Sequence, residues 1–208
     1  MAKPVLYGAD YSVYVRIARM ALEEKGVDYE LVPVDVFAAE GIPGWYFEHH
    51  PFGRIPAFEH DGFRLFEASA IARYVDEAFD GPPLQPKDPR GRARMNQIIG
   101  MLDAYGYRAM VWDVAVERLE KASPDEALIV SGLRQAGTVL QALSSLRSPG
   151  PWLLGNQLTL ADLHAAPIIG YFVKVAEGRK LLARFADIQD WWDCIAKQAS
   201  FARTEKAG

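Results

Sequence analysis

The sequence is poor in cysteine, because Cys194 is the only one among 208 residues. A single thiol has no partner within the chain, so no internal disulfide can staple the fold. Zinc sites built from several cysteines and CxxC redox chemistry are excluded for the same reason.

Long apolar runs and an excess of positive charge are missing as well. No stretch of 18 uncharged apolar residues occurs, and residues 1–7 contain no apolar run long enough for a signal peptide. With 23 Lys and Arg against 27 Asp and Glu, the net charge is −4, whereas binding to phosphate backbones needs a basic face. We therefore expect a cytoplasmic protein with neither a membrane nor a nucleic acid among its partners.

Proline is unevenly distributed, since four of the 13 prolines fall within residues 81–91. Such a segment can continue neither a helix nor a central strand, so it predicts a linker. Residues 1–80 carry 7 Lys and Arg and 14 Asp and Glu, a net charge of −7, whereas residues 81–208 carry 16 and 13, a net charge of +3. The sequence predicts a first domain over 1–80, a linker over 81–91 and a second domain over 92–208.

The first segment alternates strand and helix patterns. Short apolar runs predict strands at 4–7 and 29–34, with a helix between them that Ser12 caps. The Asp-Gly pair at 61–62 predicts a tight hairpin, and an amphipathic pattern over 70–78 predicts a further helix. The predicted order is β-α-β-(α)-β-β-α, an α/β arrangement with an irregular stretch or short helix before the hairpin.

The second segment has helical patterns throughout. Residues 95–119 form one long periodic run, and apolar residues recur at helical spacing over 133–143. Thr159 and Asp162 have the form of a capping box, with Asp where Glu is usual. The helix that they open is apolar nearly all round, which predicts the buried centre of an all-α bundle. Asp187 is a candidate cap for the last predicted helix.

Several strings of the sequence resemble one known family. Residues 6–30 look like the start of a cytosolic glutathione transferase, especially of the phi class, and residues 50–57 (HPFGRIPA) resemble its third-strand motif. Residues 66–71 (FEASAI) resemble its FES-type motif, and residues 158–162 (LTLAD) resemble its C-terminal capping segment. The resemblance implies a thioredoxin-like N-terminal domain, an all-helical C-terminal domain and a homodimer.

The resemblance also implies an activity, the attack of the glutathione thiolate on hydrophobic electrophiles, with glutathione as co-substrate and no cofactor. A free thiol is only ~3% ionised at pH 7. When its pKa is lowered by ~2, the ionised fraction increases to roughly three quarters. Ser12 matches the catalytic serine of the phi class, and a hydroxyl at a helix N-terminus can stabilise the thiolate. From spacing alone, Ser12 is a plain helix cap. Some classes use a tyrosine near the end of the first strand, so Tyr7 is the rival, with core packing as its other interpretation.

For glutathione itself, the resemblance implies contacts from two neighbouring segments. Ile55-Pro56 matches the cis-proline of the family, which would leave the Ile55 backbone to pair with the cysteine backbone of glutathione. Glu67 and Ala68 would lie at a helix N-terminus, whose free N–H groups suit the γ-glutamyl carboxylate. Arg54 stands where Gln is common and is either a contact for the glycyl carboxylate or a solvated surface cation.

The sequence departs from the family pattern at three positions. Ala68 stands where the family has Ser, and one hydrogen bond to a charged group contributes ~1.5–3 kcal/mol. Gly41 and Ile42 stand where phi-class sequences have basic residues. These departures favour an alternative, a catalytically weak or inactive transferase-fold protein acting as a protein-interaction module, whereas Ser12 and Ile55-Pro56 favour the enzyme.

The remaining candidates concern the second substrate and the dimer. Tyr105, Arg108 and Trp112 follow each other at i, i+3 and i+7, which on an α-helix gives one face with two aromatics and a cation. This face is a candidate second-substrate site, and packing against the other domain is the alternative. Phe52 matches the aromatic that some classes insert into the partner subunit, or is an ordinary core or exposed phenylalanine. We expect no metal site at the adjacent histidines 49 and 50, because neighbouring side chains point apart on an extended chain.

Overall fold

The computed structural model describes residues 3–205 of the chain. The chain divides into two compact units, the first made of residues up to 83 together with those from 199 onward, and the second of residues 84–198. The predicted fold class is confirmed, since the first unit is built on a small mixed sheet and the second is helical.

The first unit follows the predicted order of elements. These elements are β1 (Val5–Gly8), α1 (Val13–Glu24), β2 (Glu30–Pro33), a 3₁₀ helix (Gly44–Glu48), β3 (Ala57–His60), β4 (Phe63–Phe66) and α2 (Ala68–Ala78). The strands lie in the order β2-β1-β3-β4, with β1 and β2 parallel and the other two pairs antiparallel. Leu6 of β1 is paired with Phe58 of β3, and both are almost completely buried. The alternation of side chains then places Tyr7 on the opposite face of the sheet.

Helix α1 begins and ends where the sequence provides the signals. The Ser12 side chain caps its N-terminus. At its other end Gly26 has a φ of 66°, a left-handed conformation that glycine adopts without steric cost. Val27 N then donates to Leu22 O at 2.9 Å and Gly26 N to Glu23 O at 3.0 Å, the pattern of a Schellman motif. This closure directs the chain into β2.

The hairpin at the Asp-Gly pair is confirmed. Asp61 and Gly62 have φ values of 49° and 79°, the double left-handed conformation of a type I′ turn. This turn sets the register of β3 and β4, in which Ala57 lies opposite Phe66. The two segments that carry the predicted glutathione contacts therefore emerge side by side from the same end of this strand pair.

The second unit consists of helices. They are α3 (Pro89–Met101), two π-helical segments (Leu102–Gly106 and Arg108–Val116), α4 (Glu117–Glu120), α5 (Glu126–Leu146), α6 (Leu160–Phe172), α7 (Ala176–Leu182) and α8 (Ala186–Ile195). The predicted run over 95–119 is thus helical throughout, but much of it has π rather than α hydrogen bonding. Gly132 of α5 packs against it so closely that a Cβ there would lie 2.9 Å from Val114.

The capping box that opens α6 is confirmed. The Asp162 carboxylate accepts from the backbone N–H and the hydroxyl of Thr159, both at 2.8 Å, and also from Trp191 Nε1 at 2.9 Å. The expectation for Asp187 was wrong: the cap position of α8 is Phe185, and Asp187 lies in the first turn, where it accepts from the Ser144 hydroxyl at 2.9 Å.

The unit boundaries differ from the predicted 1–80, 81–91 and 92–208. Helix α3 begins inside the predicted linker, because Asp88 caps it by accepting from Gly91 N at 2.9 Å. The C-terminal helix α9 (Ala199–Arg203) belongs to the first unit, where it packs against α1. Nothing in the local pattern of residues 199–203 indicates this distant contact.

Within residues 3–205, no helix combines the length and the apolar character that crossing a lipid bilayer requires.

Candidate active site

Ser12 lies at the N-terminus of α1, immediately after the loop that leaves β1. Its backbone is extended, and its Oγ accepts from Val15 N at 3.4 Å. Within residues 3–205 the hydroxyl makes no other hydrogen bond, so its own proton remains available for donation. The first turn of α1 contains no acidic side chain, so the positive end of the helix dipole is not neutralised locally. The capping role and a sulfur-facing role are therefore compatible in the same hydroxyl.

Tyr7, the rival donor, is held in an aromatic cluster on the other face of the sheet from Leu6. Its ring centroid lies 4.4 Å from that of His49, 6.0 Å from that of Trp45 and 6.4 Å from that of Tyr46. Burial, with the nearby charge of Glu59, raises the pKa of the Tyr7 phenol. These contacts favour the interpretation of Tyr7 as a packing residue.

Ile55 lies next to the first turn of α1. A Cβ built on Gly8 would be 3.5 Å from Ile55 Cβ and would clash with Val15 Cγ2, so the end of β1 is enclosed between these two residues. The bond between Ile55 and Pro56 is cis, as the family motif implied. Pairing of β3 with β1 begins only at Ala57, and the Ile55 N–H and C=O make no backbone hydrogen bond within the described residues. An extended ligand backbone can pair with these two groups.

One positioning residue of this loop was missed in the sequence. The fully buried Tyr46 donates its hydroxyl to the Arg54 carbonyl at 2.7 Å, which fixes the chain just before Ile55. The aromatic cluster WYF at 45–47 was the available signal, but it did not distinguish the buried ring from its exposed neighbours. The Arg54 side chain itself is exposed and makes neither an ion pair nor a hydrogen bond within residues 3–205.

Helix α2 begins with an unusual backbone conformation at Glu67. Its φ of 72° is in the left-handed region, and its exposed carboxylate does not cap the helix. Left-handed conformations of residues other than glycine are uncommon and persist where the surrounding structure enforces them. Ala70 N and Ile71 N donate to Glu67 O, so the N–H groups of Ala68 and Ser69 precede the helix's own hydrogen bonding. Ala68 is buried, with 4% exposure, and offers its backbone rather than a side-chain donor.

The structure thus brings six of the predicted residues to one region of the first unit, namely Ser12, Arg54, Ile55, Pro56, Glu67 and Ala68. Arg54 and Glu67 lie close enough to His50 to affect its pKa in opposite directions, and the β3–β4 register places Pro56 beside Glu67. Ile55 is in turn adjacent to the first turn of α1 through its contact with Gly8. The N-termini of α1 and α2 and the unpaired backbone of Ile55 therefore lie at the same end of the strands.

Phe52 is the most exposed of the large apolar residues in this region. Its side chain is 71% exposed, and its ring is supported edge-on by His50 at 6.2 Å and by Phe66 at 6.1 Å. Beneath it, His50 is 2% exposed and its Nδ1 has no hydrogen-bond partner among the described residues. Burial lowers the pKa of the His50 imidazole, although the charge of Glu67 opposes this shift.

The predicted second-substrate face does not form as an α-helical face. Tyr105 and Arg108 lie in different π-helical segments, and Trp112 shares the second of these with Arg108. In a π-helix the hydrogen bonds run from i to i+5, and Arg108 Nε donates to Asp113, five residues further on, at 2.6 Å. Arg108 is therefore neutralised by an ion pair. Tyr105 is 57% exposed and Trp112 is half-buried.

Among residues 3–205, no group of three or more His, Cys, Asp and Glu side chains is arranged to hold a metal ion. The two adjacent histidines differ in their surroundings, since His49 Nε2 lies 3.6 Å from a Glu59 carboxylate oxygen while His50 is buried among aromatic rings.

Both units of the chain match models of one known family. Residues 6–83 match the family model described as "Glutathione S-transferase, N-terminal domain", and residues 107–199 match "Glutathione S-transferase, C-terminal domain". Glutathione S-transferase F13 of Arabidopsis thaliana is 28% identical over 204 residues, covering 95% of this chain and 93% of the relative.

Solved structures are similar over nearly the whole chain. Glutathione transferase F7 from Populus trichocarpa is 30% identical, with a TM-score of 0.84 and 97% of each chain covered. Poplar glutathione transferase F1 is 25% identical, with a TM-score of 0.85, covering 98% of this chain and 97% of its own.

Proposed function

The chain belongs to the glutathione S-transferase family and is a glutathione transferase, and we propose that the Ser12 hydroxyl donates a hydrogen bond to the sulfur of bound glutathione. The observation that carries this assignment is the state of that hydroxyl. It accepts from Val15 N only at 3.4 Å, and its proton has no acceptor within the described residues. A thiolate at this position would receive a charge-assisted hydrogen bond together with the field of the α1 N-terminus.

Three groups are assigned to the backbone and the carboxylates of glutathione. The unpaired N–H and C=O of Ile55 pair with the cysteine residue of the tripeptide, as a strand edge does. The N–H groups at Ala68 and Ser69 take the γ-glutamyl carboxylate, while the exposed Glu67 carboxylate faces the ammonium of the same residue. Arg54, whose side chain has no partner within residues 3–205, takes the glycyl carboxylate.

Glutathione binding is expected to be weak. Ala68 has no hydroxyl to add to the helix N–H groups, and Gly41, which is exposed, and Ile42, which is half-buried, offer no positive charge. Arg54 is the cationic contact that we assign to this site.

The other assignments are proposals of a similar kind. The second substrate is a hydrophobic electrophile, for which Tyr105 and Trp112 are separate candidate contacts, with Arg108 contributing less because Asp113 neutralises it. The protein acts as a cytoplasmic homodimer with Phe52 in the interface, and glutathione serves as co-substrate without a further cofactor. The exposure of Phe52 is the feature that supports the interface.

Calorimetric titration of glutathione into the purified protein tests the function, and an Ala68→Ser variant tests the site. Ala68→Ser should tighten binding about tenfold or more, the effect of one hydrogen bond to a charged group. Ser69→Ala is the matched control, because residue 69 points about 100° further round the helix, and it should change binding little. No binding heat at millimolar glutathione would contradict the enzyme and favour the interaction module. Binding without tightening by Ala68→Ser would mean that α2 does not contact the γ-glutamyl carboxylate.

A further inference from the structure

Arg16 is a cation buried inside the first unit, one turn after Ser12. Its backbone N–H donates to Ser12 O at 3.0 Å, so Arg16 closes the helical turn that Ser12 caps. The residue is 9% exposed, and burial lowers the pKa of its guanidinium to about 10, so the side chain is still charged at neutral pH. Removing a charge from water costs free energy that its new surroundings must offset.

The groups that bind this guanidinium within residues 3–205 are all neutral. Arg16 Nη2 donates to the Phe201 carbonyl at 2.7 Å, Nε donates to Thr204 Oγ1 at 3.3 Å, and the guanidinium carbon lies 3.8 Å from the centroid of the Phe201 ring. Arg16 makes no ion pair there. Arg19 and Glu205 affect its pKa in opposite directions, and Glu205 is exposed. The cation is therefore held by dipoles and an aromatic face, which do not cancel its charge.

This charge lies behind the helix end at which we place the sulfur of glutathione. Four residues of α-helix span about 6 Å, so the guanidinium is on the order of 10 Å from a sulfur at Ser12. At an effective dielectric constant of about 20, two charges at this distance change a pKa by about 1. The acidic side chains Asp10 and Asp35 near the same helix end are exposed, and solvent screens exposed charges more strongly than buried ones.

We propose that the buried charge of Arg16 stabilises the thiolate of bound glutathione from behind α1, in addition to the Ser12 hydroxyl. This inference rests on the proposed function, since it requires glutathione bound with its sulfur at Ser12. Arg16 acts through its electric field and not by contact with the sulfur. The attachment of α9 alone does not explain the charge, because well-packed apolar side chains often replace buried charges without loss of stability.

The test is the pKa of the bound glutathione thiol, measured from the thiolate absorbance of the full chain saturated with glutathione. Arg16→Met removes the charge and retains an unbranched side chain against the Phe201 ring. It should raise this pKa by about 1, which leaves about tenfold less thiolate at a pH below the pKa. Arg16→Lys retains the charge and should raise the pKa by less than half as much.

Arg19→Met is the matched control on the same helix. Arg19 also donates to neutral groups, to the Tyr29 hydroxyl at 3.0 Å and to the Thr204 carbonyl at 3.3 Å. It is half-buried and lies three residues further from Ser12, so screening by solvent is stronger and its loss should change the thiol pKa little.

Calorimetric titration establishes that each variant binds glutathione, and melting temperatures establish that it folds. Should Arg16→Met fail to fold, Arg16→Gln, which is also uncharged and keeps a donor for the Phe201 carbonyl, takes its place with the same expected rise. An unchanged thiol pKa in the uncharged variant, or equal rises in it and in Arg16→Lys, would overturn the inference. If Ser12→Ala raises the pKa in the same experiment, the proposed function survives that result. Absence of glutathione binding by the wild type would contradict the proposed function and this inference together.

Discussion

Arg16 of α1 donates to the Phe201 carbonyl at 2.7 Å and holds its guanidinium carbon 3.8 Å from the centroid of the Phe201 ring. The two residues are 185 positions apart in the chain. Arg16 is 9% exposed and Phe201 is 6% exposed, so the cation is stacked on the aromatic face away from most of the solvent. The C-terminal helix α9 is thereby attached to the helix whose N-terminus carries Ser12.

Removal of the Phe201 ring should therefore destabilise the first unit. We expect Phe201→Ala to lower the free energy of unfolding by about 3 kcal/mol, because a buried aromatic and the support of a buried cation are lost together. Urea unfolding followed by circular dichroism measures this. Arg203→Ala is the control in the same helix: its ion pair with Glu23 is long, at 3.4 Å, and largely exposed, so its loss should cost less than about 1 kcal/mol. Equal losses in the two variants would show that the Arg16 contact is not what attaches α9.

The buried His50 should make stability depend on pH in the acid range. Burial lowers its pKa in the folded protein, Glu67 opposes this and Arg54 adds to it. As pH falls through about 6.5, the unfolded chain takes up a proton that the folded imidazole still refuses. The contribution of His50 to the free energy of unfolding is therefore complete above a pH of about 6.5. Below this pH it decreases, by at most ~1.4 kcal/mol per pH unit.

The measurement is urea unfolding of the wild type and His50→Leu at pH 7.5 and pH 5.5. Leucine preserves apolar contact with Phe66 and cannot titrate, so the variant should lose less stability between the two pH values than the wild type does. Parallel pH dependence in both proteins would assign the acid sensitivity to other groups.

Phe52 should matter to association and little to the fold of one subunit. The side chain is 71% exposed, so truncation to alanine removes little intramolecular packing, whereas burial of the ring in a partner would contribute ~2–4 kcal/mol, as interface hot spots do. Sedimentation at micromolar concentration should show a dimeric wild type and a largely monomeric Phe52→Ala. Phe37→Ala, at another exposed phenylalanine (65%), should remain dimeric. An undissociated Phe52→Ala dimer would remove Phe52 from the interface.

The local signals in the sequence predicted the elements well, because each depends on residues close together in the chain. Ser12 at a helix start and the Asp61-Gly62 turn are examples, and both are found as predicted. The cis bond before Pro56 came from the family motif, since the residues alone give it a low probability.

What could not be predicted depends on contacts between distant residues or on unusual backbone geometry. The attachment of α9 rests on Arg16, which looks like any helical arginine until Phe201 is placed over it. The face proposed for Tyr105 and Arg108 assumed 3.6 residues per turn, and π hydrogen bonding invalidates that spacing. The left-handed Glu67 likewise has no local sequence signal of the kind that glycine gives.

Ser12→Ala should lower turnover with glutathione ~30- to 1000-fold, the range expected when one donor to a developing anion, ~2–4 kcal/mol, is removed. The pKa of the bound glutathione thiol, measured from the thiolate absorbance, should rise, because the sulfur loses its charge-assisted hydrogen bond. Part of any loss in melting temperature reflects capping, since the hydroxyl also accepts from Val15 N and an N-cap contributes ~1 kcal/mol. Tyr7→Phe is the matched control and should retain turnover, because the Tyr7 ring packs against His49 and Trp45. If Tyr7→Phe loses more turnover than Ser12→Ala while both variants stay folded and bind glutathione, the tyrosine is the donor and the assignment to Ser12 is wrong.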